Sequence, residues 1–342
     1  MAQMDLPQLD LLAYTTGNEQ SRQEFCQRLR VELQRWGFVS LINYGMPAAD
    51  IENLFHHSNS FFAMTEAQKM TAPHPPTANP HRGYSFLGQE YTSGLGRPRE
   101  LNARGGRRLR DLKETFDWGS SDDALYPSVW PDARLERCDI PGFRAALETH
   151  FVRAHDLHLT ILRALAEGLG APPHTFLAAH QQNDSEARLA HYPPVPTDDL
   201  GEDRGTSRIC EHTDSGSVTL LWQDDAGGLE IEDPVTRRFI AVSCPAPAVL
   251  VNLGDAMERW TNGLLPAAYH RVGKTSCPGS ATGGHVPGRF SIIYFGKPDR
   301  KASLAPLAPF VSADQPARYG PVTGEELNQG TLLRTYDGSN TV

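Results

Sequence analysis

No apolar run in this chain approaches the roughly 18 residues that a membrane-spanning helix needs. The opening MAQMDLPQLD lacks the basic, apolar and small-residue succession of a secretion signal. A membrane or exported protein is therefore not expected. Cysteine is sparse as well: five residues, at 26, 138, 210, 244 and 277. They are odd in number and form no CxxC pair, which argues against a zinc finger or a disulfide framework and for reduced thiols in a cytoplasm. Cys210, two positions before a histidine, is read as a packed, neutral thiol. The chain also lacks an excess of positive charge: 32 Lys and Arg stand against 41 Asp and Glu, a net charge of −9. That balance speaks against a general binder of nucleic acid or of anionic membranes. The locally basic stretch 97–110 is the one exception, and a solvated surface loop is the expected reading. There is no internal repeat.

What is there suffices for a large buried core, in one extended domain or two: 342 residues, 39% of them apolar. Residues 1–185 read as mainly helical. Phe25, Leu29, Leu33 and Trp36 form one helical stripe that ends at Gly37. The run 38–45 (FVSLINYG) reads as a short buried strand, and a further helix follows to about residue 70. Residues 71–110 read as irregular. Phe143, Leu147, Phe151, Ala154, Leu157, Ile161 and Leu165 form a second, longer stripe that stops at Gly168 and Gly170. Near residue 186 the texture changes to short apolar runs between tight turns (ARLAHY, SVTLLWQ, LEIED, FIAVSC, AVLVNLGD, RFSIIYF), the mark of a sandwich or jelly-roll barrel. This region, 186–300, is the expected core. The remainder, 301–342, is proline-rich and then briefly helical.

All residues with recognisable chemistry fall in the 186–300 region. His212-Thr213-Asp214 is followed far downstream by His270. Two imidazoles and one carboxylate are the ligand set of a facial triad, which holds non-haem Fe(II) and leaves positions open for oxygen and substrate. If 212–214 is a strand, its first and third side chains share a face. His-x-Asp alone is weak evidence, because it arises often by chance. A second constellation strengthens it: Arg289 and Ser291 share a face of the run RFSIIYF. An arginine on an inward face needs an anion, and its planar guanidinium suits a carboxylate. These two residues are therefore expected to hold the distal carboxylate of a 2-oxoacid. Asn252 and Asp255 are read as turn and strand-end residues, His191 as structural, and Trp222 and Trp260 as packing.

Together these motifs resemble the iron(II)/2-oxoglutarate-dependent dioxygenases of the isopenicillin N synthase-like group, over nearly the full length. WGFVSLINYGMP resembles the group's N-terminal text, with Tyr44 where histidine is usual. FFAMTEAQK, YPP (192–194), HTDSGSVTLLWQDDAGGLEIED, LVNLGDAMERWTNG, HRV (270–272) and R-x-S follow in family order. The resemblance implies an α+β fold with a distorted double-stranded β-helix (a jelly-roll, cupin-like core), flanked by N-terminal helical elements and by a C-terminal segment over the active site. It implies His212, Asp214 and His270 as iron ligands. It implies Arg289 and Ser291 on the C5 carboxylate of 2-oxoglutarate, aided by the Tyr192 hydroxyl. Ala190 stands where plant members often carry asparagine, which removes one hydrogen bond near the co-substrate. The implied cofactors are Fe(II), 2-oxoglutarate and O2, with ascorbate a candidate reductant. Succinate and CO2 are released as a small specialised metabolite is hydroxylated, desaturated or rearranged. A carboxylate at 214 argues against halogenation, which needs a small residue there. Alternatives are an oxidase of the same fold that does not use 2-oxoglutarate, and a non-catalytic jelly-roll binding protein. No nucleic acid, membrane or obligate protein partner is expected. Aromatics at 84–86, 116–118 and 295, with the tail near Leu332, either line the substrate pocket or belong to the core.

Overall fold

The computed structural model describes residues 3–75, 80–243, 247–274 and 284–336. Cys244, Cys277 and the end of the tail lie outside them. The strands form two principal sheets. The larger has the spatial order Gln8–Asp10, Phe38–Ile42, Val249–Leu253, Val218–Gln223, Arg289–Gly296, Glu186–Tyr192, Glu114–Gly119, Gly83–Ser85. The smaller runs Gln3–Asp5, Phe239–Ser243, Leu229–Glu232, His270–Val272, Ile209–His212. Four of the eight strands in the larger sheet precede residue 120, so the region that reads as mainly helical contributes half of it.

Both faces of the larger sheet are buried, and the strand period of two assigns its side chains to two different layers. Val218, Leu220 and Trp222 join a core with the helices, as do Ala187, Leu189, Ile292 and Tyr294. The alternate positions Leu221, Ala190, Tyr192 and Ile293 pack with Leu229, Ile231, Val242 and Val272 of the smaller sheet. The first layer rests on the helix Phe143–Gly168, whose Leu147 carbonyl accepts a 3.1 Å hydrogen bond from the Trp118 indole. That helix crosses Glu19–Trp36 so closely that a Cβ on Gly168 would sit 2.2 Å from the Cys26 carbonyl oxygen. The second layer opens into a cavity.

The basic stretch lies at the surface, with Arg99, Arg107 and Arg110 exposed, but three of its arginines are tied to the fold. Arg97 pairs with Glu232 at 2.8 Å and lies over the Tyr269 ring. Arg104 pairs with Glu202 and Glu211, and Arg108 donates to the Arg334 carbonyl. No helix among the described residues is long and apolar enough to cross a membrane.

Candidate active site

His212 closes the Ile209–His212 strand, and its register partner on the neighbouring strand is His270. Their rings lie 4.4 Å apart. Asp214 lies beyond the strand end, so the three side chains converge through a loop rather than through the pleat that the i, i+2 spacing suggests. Their ligand atoms lie within 4.8 Å of one another. Each imidazole has its Nδ1 on a backbone carbonyl: His212 on Cys210 at 2.8 Å, His270 on Ala268 at 3.0 Å. A proton on Nδ1 leaves the Nε2 lone pair of each ring for a metal. Asp214 Oδ2 accepts from Thr219 Oγ1 at 2.7 Å and from Asn252 Nδ2 at 2.8 Å. Its Oδ1 remains, 3.8 Å from His212 Nε2. Burial and the neighbouring His270 lower the His212 pKa to about 4, so the ring is a neutral ligand. Burial alone would raise the Asp214 pKa, but the two imidazoles and its two donors lower it, and the carboxylate is ionised.

Asn252 is the penultimate residue of the strand Val249–Leu253, and its side chain has a task beyond ending it. It is 2% exposed, sits opposite Thr219 in the antiparallel register, and holds the carboxylate from the sheet below. Asp255 begins the helix Asp255–Trp260 and is also buried, its carboxyl pushed up to about 6 chiefly by that burial. Cys210 is a buried thiol pushed up to about 12, again by burial, and hence neutral.

Arg289 is 1% exposed. Its Nη1 donates to Ser291 Oγ at 3.1 Å and its Nη2 to Gln223 Oε1 at 2.9 Å. The guanidinium lies 4.9 Å from the centre of the Tyr192 ring, directly across the strand pair. Its Nε is buried without any partner, and no ion pair neutralises it among the described residues. A buried guanidinium with an orphaned donor is an anion site in waiting. Arg289, Ser291 and Tyr192 line the same cavity as His212, Asp214 and His270.

Two family models match the sequence: a non-haem dioxygenase N-terminal region described from morphine synthesis, over residues 6–133, and the 2OG-Fe(II) oxygenase superfamily, over residues 183–298. A proline hydroxylase, buaE of Petromyces alliaceus, is 40% identical, the match covering 97% of this chain and all of that protein. The chain belongs to the 2-oxoglutarate/Fe(II) oxygenase superfamily. A second fungal member, the 2-oxoglutarate-dependent dioxygenase gloF of Glarea lozoyensis, is 36% identical, over 97% of this chain and all of that protein. A full-length Neurospora crassa protein, solved as a crystal structure in complex with alpha-KG, superposes with a TM-score of 0.83 at 30% identity, over 96% of this chain and 95% of that one. The jelly-roll core is thus shared, and the chain is an Fe(II)- and 2-oxoglutarate-dependent dioxygenase acting on small molecules.

The donor set of this oxygenase suits those cofactors. Two freed Nε2 atoms and one carboxylate oxygen suit Fe(II), and the orphaned Arg289 Nε with Ser291 suits a dicarboxylate. Of the aromatic candidates for the pocket, Phe295 lines the cavity. Tyr84, Phe116 and Trp118 do not. They are core residues that pack on the helix side, and Phe86 is exposed. From the tail, Thr331 and Thr335 line the cavity, while Leu332 is fully buried and is not part of its wall. Sequence reasoning missed the charged part of the wall: Glu90, Lys113, Glu186, Arg188 and Lys297. The signal for two of them was present. Glu186 and Arg188 share the parity of Tyr192 on an otherwise apolar strand.

Proposed function

We propose that the chain hydroxylates a small specialised metabolite, with His212, Asp214 and His270 holding Fe(II). In this reading Arg289 and Ser291 grip the C5 carboxylate of 2-oxoglutarate and the Tyr192 hydroxyl assists. Iron with 2-oxoglutarate and O2 supplies the oxidant. One oxygen atom enters a C–H bond of the substrate and the other enters succinate, with loss of CO2. The chain's own task is to orient the co-substrate, exclude water and present one C–H bond. The orphaned guanidinium Nε in the same cavity as the two imidazoles carries the reading, because it calls for an anion at a fixed place beside a metal site. The proline hydroxylase relative supports hydroxylation among the possible outcomes. Cavity-lining residues of the helix Gly324–Thr335 support the 301–342 segment as a cover over the site. The free thiols Cys26, Cys138 and Cys210 support a reducing, cytoplasmic setting.

The test is anaerobic addition of Fe(II) and then 2-oxoglutarate, followed in the visible range. A weak charge-transfer band is expected with the unaltered chain and is expected to vanish in His270→Ala. If iron binds but no band forms, the reading gives way to an oxidase that takes all electrons from its substrate.

A further inference from the structure

Arg289 is not alone among buried cations at its end of the cavity. Arg208, one residue before the strand Ile209–His212, is 4% exposed. Its guanidinium carbon lies 5.8 Å from the centre of the Tyr192 ring, which Arg289 approaches to 4.9 Å. Two guanidinium groups therefore share one aromatic ring. Tyr192 and Arg289 are part of the cavity wall and Arg208 is not.

Arg208 has hydrogen-bond partners but no counter-charge. Its Nη2 donates to the carbonyls of Pro287 at 2.6 Å and Pro193 at 3.1 Å, with that of Val286 at 3.5 Å. Its Nε is buried without a partner, and no ion pair reaches it among the described residues. Carbonyls satisfy N–H groups without neutralising them, and an aromatic face offsets only part of the cost of burying a cation. Burial is the main cause that lowers its pKa to about 10; the like charge of Arg289 pushes the same way and Asp224 opposes it. Asp224 is the carboxylate that acts on both arginines. It stays outside ion-pair distance of either, its oxygens taken by the amides of Ala226 and Phe290. Two guanidinium groups thus answer to one carboxylate, and one positive charge is left over. If tying Pro193 to Pro287 were the whole task of residue 208, a neutral amide side chain would do it without burying a charge.

We propose, on the function given above, that Arg208 is a positioning residue of the co-substrate site. It supplies the surplus charge that draws the distal carboxylate of 2-oxoglutarate onto Arg289, without touching that carboxylate itself. Charges buried a few ångströms beyond contact still act on one another, because little water lies between to screen them. With Arg208 present, the bound carboxylate brings Arg289, Arg208 and Asp224 to neutrality. With a neutral residue at 208, Arg289 and Asp224 already balance, and an incoming carboxylate would be buried as an excess negative charge. Arg208 therefore sets selectivity for a 2-oxoacid with a second carboxylate over one without it.

The test compares 2-oxoglutarate with 2-oxopentanoate, which carries a methyl group in place of the distal carboxylate and keeps the 2-oxoacid head. Both are titrated anaerobically into the full-length Fe(II)-loaded protein, followed by the visible charge-transfer band and by calorimetry. Arg208→Gln should weaken 2-oxoglutarate about tenfold or more and leave 2-oxopentanoate unchanged. Arg208→Lys keeps the charge and should stay within about threefold of the unaltered protein. Equal weakening of both oxoacids in Arg208→Gln would assign Arg208 a structural role and overturn the proposal. So would an unchanged 2-oxoglutarate affinity, or a lysine variant as weak as the glutamine one. Should Arg208→Gln fail to fold, Asp224→Asn decides with both arginines in place. It should tighten 2-oxoglutarate about threefold or more and spare 2-oxopentanoate, and no tightening overturns the proposal. If the unaltered protein binds the two oxoacids alike, the carboxylate grip itself fails, and the function proposed above with it. Strong selectivity in the unaltered protein that persists in Arg208→Gln sinks only the role of Arg208.

Discussion

At the scale of single residues, the site depends on groups that hold other groups. Arg289 is the clearest case, since Ser291 and Gln223 fix two of its nitrogens and leave the third orphaned. Arg289→Ala should raise the 2-oxoglutarate KM steeply, because removing one member of a buried charge-assisted pair costs about 2–5 kcal/mol. Arg289→Lys should recover only part of it, as an ammonium cannot make the two parallel bonds of a guanidinium. A KM equal to that of the unaltered enzyme in steady-state succinate assays would refute the grip. Asn252 acts one step further out. It donates to the Asp214 oxygen that faces away from the imidazoles. Asn252→Ala should leave the fold intact and weaken Fe(II) binding by about 10- to 100-fold, the usual effect of losing such a supporting bond. Metal titration against a competing chelator measures it.

At the scale of elements, the loop 213–217 does what the strand pleat was expected to do. Its backbone is clamped from two sides. The Asp255 amide donates to the Asp214 carbonyl at 2.8 Å and the Ala256 amide to Gly216 at 3.1 Å, while the Ser217 amide donates to the Gly296 carbonyl at 2.8 Å. Gly254 lies inside this clamp. A Cβ there would sit 2.3 Å from the Gly216 carbonyl oxygen and 2.7 Å from that of Asp214, both of them backbone atoms that cannot swing away. Gly254→Ala should therefore cost about 1–3 kcal/mol of stability, and should weaken iron binding at least tenfold by moving Asp214. Retained iron affinity with a lowered Tm would show that Asp214 is positioned independently of the clamp. The convergent His-Asp-His cluster, the buried arginine on the same cavity and the long helices were legible in the sequence, because residue chemistry and helical period are local signals. The loop was not: a spacing of two fits a strand equally well, and only hydrogen bonds from residues some 40 positions on distinguish the two. The charged end of the cavity escaped for a related reason. In a strand buried on both faces, period two separates the layers without saying which one faces helices and which faces a cavity, so Phe116 and Trp118 drew attention that belonged to Glu186 and Arg188.

At the scale of the whole molecule, stability should depend on pH through buried histidines that do not line the cavity. His150 and His158 are buried in the layer between the long helix and the larger sheet, and His180 packs against His158. Burial lowers the His150 pKa to about 3 and that of His180 to about 4, and holds His158 well below its ordinary value. In the unfolded chain each would titrate near 6.5. Between about pH 4 and 6.5 the unfolded state therefore binds protons that the folded state refuses, and stability must rise with pH across that window. The buried carboxylates Glu90 and Glu186 are held well below their usual range, so their contribution is lost only at lower pH, beneath about 4.3 where the unfolded carboxyls protonate. The first acid limb on lowering the pH from 7 to 5 thus belongs to the histidines, at about 2 kcal/mol for each ring that stays neutral at pH 5. His150 isolates the effect, since its Nε2 has no hydrogen-bond partner and its ring packs against Trp222, 4.8 Å between centres. His150→Leu should flatten the limb by about that amount while leaving turnover at pH 7.5 unchanged. Denaturant unfolding at pH 7 and pH 5 measures it, and an undiminished pH slope in the variant would mean that His150 accepts its proton in the folded protein.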